Sequence, residues 1–369
     1  MISRFQIQTD DGMVADLRQR LARVRWSDSV TDDWSQGTQF ALLHKVVAFW
    51  RDGYDWEARR AALNALSHQW VTTDGFGLHF LHVVSGRSNA IPLLLMNGWP
   101  SSFVEFQRLL PLLGAGDPAF DVVVPTHPGF GFSQKLVRPY EVDPVELYPK
   151  LMRQLGYDRF AIAGTDIGAG IATRIALKCP QRVMALHISA IAPRQTRAGE
   201  PPKSEAERDH ERRVAEWMRD EGAYQSLQRT KPQTLAYALA DSPVGMASWI
   251  LEKFHGWTDH GGDLLSVWPI ETLVDNLMIY WVSNTIGSSV RYYYEGNRLR
   301  APLAADAFIH VPTGIAVWPA DIARPPHELG ERLYDVRRYS VMPSGGHFPA
   351  WERPGLYADD LRGLIACVP

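Results

Sequence analysis

The chain has 369 residues, 46% hydrophobic and 21% charged, a globular balance with length enough for a large buried core. Its 38 basic and 41 acidic residues give a net charge of −3, so no basic excess drives sequence-independent nucleic-acid binding. Two cysteines exclude a disulfide framework and a Cys-rich zinc site, and they fit a reducing, cytoplasmic setting.

In chain order, residues 1–70 read as helices. Val14, Leu17, Leu21 and Val24 recur at helical spacing behind a cap at Asp10 or Asp11, and Phe40, Leu43, Val47 and Trp50 repeat the pattern. A third helix is expected over 54–66. No apolar run approaches the ~18 residues that span a bilayer, and the opening residues lack the apolar stretch of a signal peptide. The pattern changes at Val71. Residues 77–84 alternate as a strand does, and 91–96 form an unbroken apolar run, the mark of a strand buried on both faces. An amphipathic helix is expected over 103–113, a strand over 120–124 and a helix over 144–155. Another strand follows over 159–163, a helix over 167–178 and a strand over 183–188. This alternation predicts an α/β fold, a mostly parallel sheet flanked by helices.

The rhythm breaks at Pro193. Residues 194–207 are polar and include Pro201 and Pro202, and a helical, aromatic-rich block runs to about residue 285. Alternation resumes over 309–318, 326–333, 336–342 and 355–365. The expected organisation is an N-terminal helical extension (1–70), a first part of the α/β core (71–193), a helical cap insertion (194–287) and a second part of the core (288–369). The ends of the insertion flank the carboxyl edge of the sheet, where such folds bind ligands.

Four loops carry the chemistry. Gly164-Thr165-Asp166-Ile167-Gly168 follows a buried strand and opens a helix. It has the small-x-nucleophile-x-small form of a nucleophile elbow, with Asp in place of Ser. Helix N–H groups beside the tip favour a carboxylate there, although an Asp helix cap in a glycine-rich turn is an equal reading of this segment alone. Asn97-Gly98-Trp99-Pro100 follows another buried strand. There the N–H of Trp99 can join that of Ile167 in an oxyanion hole, with Trp99–Pro100 a candidate cis peptide. Ser344-Gly345-Gly346-His347 follows the last expected strand, and Asp321 the one before it. Glu328 is a weaker rival to Asp321, since it falls within the next helix. Nucleophile 166, acid 321 and base 347 occur in the chain order of α/β-hydrolases.

With these motifs in hand, the chain resembles the epoxide hydrolases of the α/β-hydrolase superfamily. The branch is the microsomal type, which carries an N-terminal epoxide hydrolase extension. The resemblance covers nearly the whole length and includes Thr230-Lys231-Pro232, Asp241-Ser242-Pro243-Val244-Gly245, Trp257-Thr258, Asp275-Asn276-Leu277-Met278 and Ser288-Ser289-Val290-Arg291-Tyr292-Tyr293. It implies a covalent mechanism with no metal and no organic cofactor. Asp166 is the nucleophile, His347 the general base, Asp321 the acid that orients it, and two cap tyrosines hold the epoxide oxygen. By position these are Tyr224 and Tyr293, and a slip of one residue would select Tyr292 or Tyr294. Three departures stand out. Asn97 replaces the usual His, Ile167 follows the nucleophile where Trp is frequent, and the membrane anchor of vertebrate members is missing.

The implied reaction converts an epoxide and water to a vicinal diol. Trp249, Trp257 and Tyr280 are candidate substrate contacts within a cap also rich in Phe254, Trp268 and Trp281, which suggests a small apolar epoxide unless these rings form the cap's own core. The exposed cap and N-terminal helices leave room for a homodimer. A haloalkane dehalogenase is disfavoured because Ile167 offers no side-chain N–H for a halide. A non-catalytic binder of epoxide or diol is the other alternative. Detoxification and natural-product biosynthesis are equally compatible with the sequence.

Overall fold

The computed structural model describes residues 1–138, 141–299, 301–322 and 324–368. Its centre is a nine-stranded sheet of β1 (Ser3–Arg4), β2 (His68–Thr73), β3 (Phe76–Val83), β4 (Ile91–Met96), β5 (Phe120–Pro125), β6 (Phe160–Gly164), β7 (Val183–Ile188), β8 (Ile309–Val317) and β9 (Tyr334–Val341), in the order β1-β2-β3-β5-β4-β6-β7-β8-β9. The first three pair antiparallel with their neighbours, and β5 through β9 run parallel. The chain runs outward from β4 to β5 and then returns to lay β6 on the other side of β4. That reversal opens a crevice beyond the carboxyl ends of β4 and β6, where open α/β sheets bind ligands. The loop carrying Trp99 leaves β4 and the loop carrying Asp166 leaves β6.

Local chemistry accounts for several differences from the sequence expectation. The first 70 residues are not wholly helical, because Ser3 and Arg4 pair with Trp70 and Gln69. A strand of two residues is too short to carry an alternating pattern. The helices that follow are Asp11–Ala22, Phe40–Ala48 and Trp56–Asn64, the first and third capped by the Asp10 and Asp55 side chains. The single helix expected over 103–113 is instead a tight turn, Phe103–Phe106, and a short helix, Leu110–Ala115, with Pro111 in the first turn of the latter. Between β7 and β8 the described residues form seven helices, from Glu205–Asp220 to Ile286–Leu299. The last of these runs across the expected 287/288 boundary. Asn284, left-handed at φ 50° and ψ 47°, ends the helix before it, and a new helix starts at Ile286.

The N-terminal helices grip the cap, and the cap grips the site. Asp275, fully buried on Ile270–Ser283, is paired with Arg59 and accepts the Tyr54 hydroxyl at 2.7 Å. Asn276 on the same helix donates to the Pro100 carbonyl at 2.9 Å, and the Tyr280 hydroxyl to the Ser101 carbonyl at 3.1 Å. No helix among the described residues is long and apolar enough to cross a membrane. Replacing Arg59 with Ala leaves the Asp275 carboxylate buried without its cation. The expected cost is about 2–3 kcal/mol, below the value for a fully buried pair because Arg59 is partly exposed. Urea denaturation measures it, and a change under about 0.5 kcal/mol, the size of an ordinary surface substitution, would mean that the pair does not hold the extension to the cap.

Candidate active site

The turn between β6 and the helix Ile167–Lys178 forces Asp166 to φ 48°, ψ −121°, a region that side-chain-bearing residues rarely adopt. Its neighbours must be small. A Cβ on Gly168 would fall 2.5 Å from the Met96 carbonyl oxygen, and one on Gly98 would collide with the Asp166 carboxylate itself. Asp166 stands at the cap position of the helix, yet its side chain accepts no capping bond. Oδ1 instead accepts the backbone N–H of Trp99 at 3.1 Å, and the Trp99–Pro100 peptide is cis. Ile167 opens the helix, so its N–H has no intrahelical partner and belongs to the same turn.

His347 lies on the far side of the carboxylate. Its Nε2 is 3.6 Å from Asp166 Oδ2 and its Nδ1 is 2.6 Å from Asp321 Oδ1. Asp321 is fixed in turn by the Ile322 N–H at 2.7 Å, whereas its rival Glu328 is exposed on the helix His327–Glu331. The His347 and Asp321 side chains are 8% and 3% exposed against 21% for Asp166, so the carboxylate is the member of the three that a ligand can reach. Burial disfavours charge on His347, but the negative charges of Asp321 and Asp166 outweigh it and hold the imidazole well above its usual value.

Above the carboxylate loop, the Tyr224 ring stacks on Trp99 at 5.6 Å and 11°, and Tyr293 meets Trp99 edge-on at 5.8 Å. The two tyrosine rings are 6.0 Å apart. Of the neighbours, Tyr292 packs on His127 and Phe130, and Tyr294 is 46% exposed. Trp257 also reaches the site. Its ring is 5.0 Å from His347 and 5.4 Å from Tyr224, and its carbonyl accepts the His347 N–H at 2.7 Å. Trp249 donates to Gln228 within the cap, and Tyr280 is spent on Ser101. Phe254 and Trp268 stack on Phe348 and Trp351 and so close the cap over the His347 loop. A cavity of 340 Å³ opens on Asp166, walled by Ile167, Ile171, Ile191 and Tyr292 on one part and by the polar Arg174, Gln225 and Arg229 on another.

Two buried acids beneath the site escaped the sequence reading. Glu352 accepts the N–H groups of Gly346, Phe348 and Asp259 at 2.8–2.9 Å, which shapes the loop around His347. Glu105 lies 2.5 Å from Ser101 Oγ, under the Trp99 loop. The signal for it was one acid inside the otherwise apolar run Phe103-Val104-Glu105-Phe106. Asn97 stays within this layer, donating to Ser101 Oγ at 2.9 Å and to the Gly98 carbonyl at 3.0 Å.

Residues 2–106 match the family described as the epoxide hydrolase N terminus, and residues 91–241 match the α/β-hydrolase fold. The chain is 34% identical to Epoxide hydrolase 1 of Oryctolagus cuniculus over 406 residues, which cover 100% of this chain and 89% of that protein. Among solved structures, the epoxide hydrolase of Aspergillus niger aligns at a TM-score of 0.87 and 26% identity, covering 100% of this chain and 97% of the other. Juvenile hormone epoxide hydrolase from the silkworm Bombyx mori aligns at 0.88 and 27%, covering 99% and 94%.

Proposed function

The chain belongs to the epoxide hydrolase family, and from that premise we propose that it converts a small apolar epoxide and water to a vicinal diol through an ester on Asp166. The carrying observation is a single carboxylate whose Oδ1 is held by a backbone N–H and whose Oδ2 faces a His–Asp pair. The isoleucines and Tyr292 in the cavity wall favour an apolar substrate, beside the polar Arg174, Gln225 and Arg229, and two free cysteines fit work in the cytoplasm.

An epoxide carbon is saturated, so it offers no carbonyl to a Ser alkoxide. A carboxylate can displace the ring oxygen in line, and it is already ionised at neutral pH. Asp166 Oδ2 forms the new C–O bond while a hydroxyl of Tyr224 or Tyr293 protonates the departing ring oxygen. Esterification removes the Asp166 charge, one of the two that raise His347. The imidazolium then sheds its proton, which balances the one given up by the tyrosine. Neutral His347 next takes a proton from water as the hydroxide attacks Cγ of Asp166. The tetrahedral oxyanion forms on Oδ1, where the Trp99 and Ile167 N–H groups receive it, a contribution of about 3–4 kcal/mol per donor. Collapse releases the diol, whose oxygen takes the remaining proton of that water, and restores the carboxylate and imidazolium. Asp321 keeps the His347 tautomer and stabilises its charge.

Diol formation from styrene oxide and a panel of aliphatic epoxides tests the reading, and no diol from any of them would reject it. Tyr224→Phe and Tyr293→Phe are each expected to slow ester formation by about 10- to 100-fold and to leave ester hydrolysis nearly unchanged, as stopped-flow fluorescence of the buried tryptophans would report.

A further inference from the structure

The Gly98–Trp99 peptide carries the oxyanion N–H on one side and the Gly98 carbonyl on the other. That carbonyl lies 3.0 Å from Asn97 Nδ2 and 3.2 Å from Ser101 Oγ. Donors on a peptide carbonyl polarise the unit and strengthen its N–H. Ser101 is buried and has one hydroxyl proton, but two acceptors compete for it, the Gly98 oxygen and Glu105 Oε2 at 2.5 Å. Glu105 is 2% exposed, and its Oε1 has no hydrogen-bond partner among the described residues. An ionised Glu105 would draw the Ser101 proton away from Gly98 and leave a charged oxygen buried with no donor. A protonated Glu105 removes the first conflict and takes the charge out of the second, leaving Oε1 a neutral carbonyl oxygen. It donates through Oε2 to Ser101 Oγ, which also accepts from Asn97 at 2.9 Å and turns its own proton to Gly98.

We propose that Glu105 acts as a neutral carboxylic acid that, through Ser101, polarises the Gly98–Trp99 peptide and so strengthens the oxyanion donor used in ester hydrolysis. This rests on the Asp166 ester reading, and Glu105 is a positioning residue that touches no reacting atom. The groups facing it come from every side. Burial pushes Glu105 up to about 8. The Ser101 hydrogen bond and the His347 charge oppose the rise, and the Glu352 and Asp166 carboxylates add to it. Tyr357, whose hydroxyl is also buried, feels the Glu105 charge in turn. Below that pH the acid is neutral and the relay is set. Above it the carboxylate recaptures the Ser101 proton and adds a negative charge near the developing oxyanion. Both effects slow hydrolysis as pH rises.

The test is rapid-quench single turnover of styrene oxide between pH 6 and 9.5, with ester formation and ester decay followed separately. Tyr224 and Tyr293 take no part in decay, so their ionisation does not shape its profile. Wild type is expected to lose decay rate above about pH 8. Glu105→Gln, a permanent donor to Ser101, is expected to remove that alkaline loss. Glu105→Leu is expected to slow decay about fivefold to tenfold at pH 7, roughly the weight of one lost hydrogen bond, with a smaller effect on ester formation. An alkaline loss persisting in Glu105→Gln, or equal decay rates in the Gln and Leu variants, would overturn the proposal. If Glu105→Leu does not fold, the Gln profile decides alone. Wild type that forms neither ester nor diol would instead reject the underlying reading.

Discussion

Replacing His347 with Gln is expected to halt the enzyme at the covalent ester and cut steady-state turnover by about 10³-fold or more. The glutamine amide can still hydrogen-bond Asp321, so the loop held by Glu352 and by the Trp257 carbonyl should stay folded. Asp166 keeps its contact to the Trp99 N–H and can still attack. What is lost is the base for water. Intact mass spectrometry after mixing with excess epoxide should therefore show a lasting gain of one epoxide mass per chain. The pH dependence has a defined sign. Burial lowers His347 but the Asp321 and Asp166 carboxylates raise it further, so its pKa in the free enzyme stands well above the usual imidazole value. Esterification cancels one of those carboxylates, so the His347 pKa in the ester lies below its pKa in the free enzyme. Ester decay in wild type should rise with pH through that lower value and flatten above it until Glu105 ionises. Rapid turnover with no adduct in His347→Gln would mean that water does not depend on this base.

Asp166→Gly is expected to abolish turnover, by about 10⁴-fold or more, while making the protein more stable. The backbone at Asp166 is held at φ 48°, ψ −121°, which costs a side-chain-bearing residue about 1–3 kcal/mol and glycine far less. Part of that gain is offset by the greater freedom of glycine in the unfolded chain. Removing the carboxylate also takes a partner from His347, so only about 1 kcal/mol of net stabilisation is expected. Thermal unfolding and diol release measured on one sample check both halves. Retained activity would contradict the assignment of the nucleophile, and a loss of stability would show that the elbow is not strained.

The sequence could reveal a residue where local chemistry alone marks it. Asp166 stands between small residues that the turn requires and follows an apolar run, and His347 lies in a glycine-rich loop after the mixed polar and apolar strand Tyr334–Val341. The parallel sheet was readable for a similar reason, since β4 through β7 are short, mostly apolar segments broken only by residues such as Asp121 and His187. Other features depend on distant contacts. The pairing of Ser3–Arg4 on β2 leaves no pattern in two residues. Tyr280 and Trp257 look alike in sequence, but one hydrogen-bonds Ser101 and the other lies against His347. Pro111 could have been read as a break in the helix expected over 103–113. Glu105 and Glu352 were hidden because a carboxylate among apolar residues reads as a helix face until the fold shows it buried against the catalytic loops.

The ester is the centre of this account, and isotope tracing in a single turnover tests it most directly. Unlabelled enzyme in excess over epoxide, in water enriched with oxygen-18, should release a first-turnover diol carrying only oxygen-16. The label should appear in the peptide containing Asp166, because water attacks the carboxyl carbon and the Asp166 oxygen leaves with the product. A first-turnover diol carrying oxygen-18, with Asp166 unlabelled, would mean that water attacks the epoxide directly and that Asp166 is not the nucleophile.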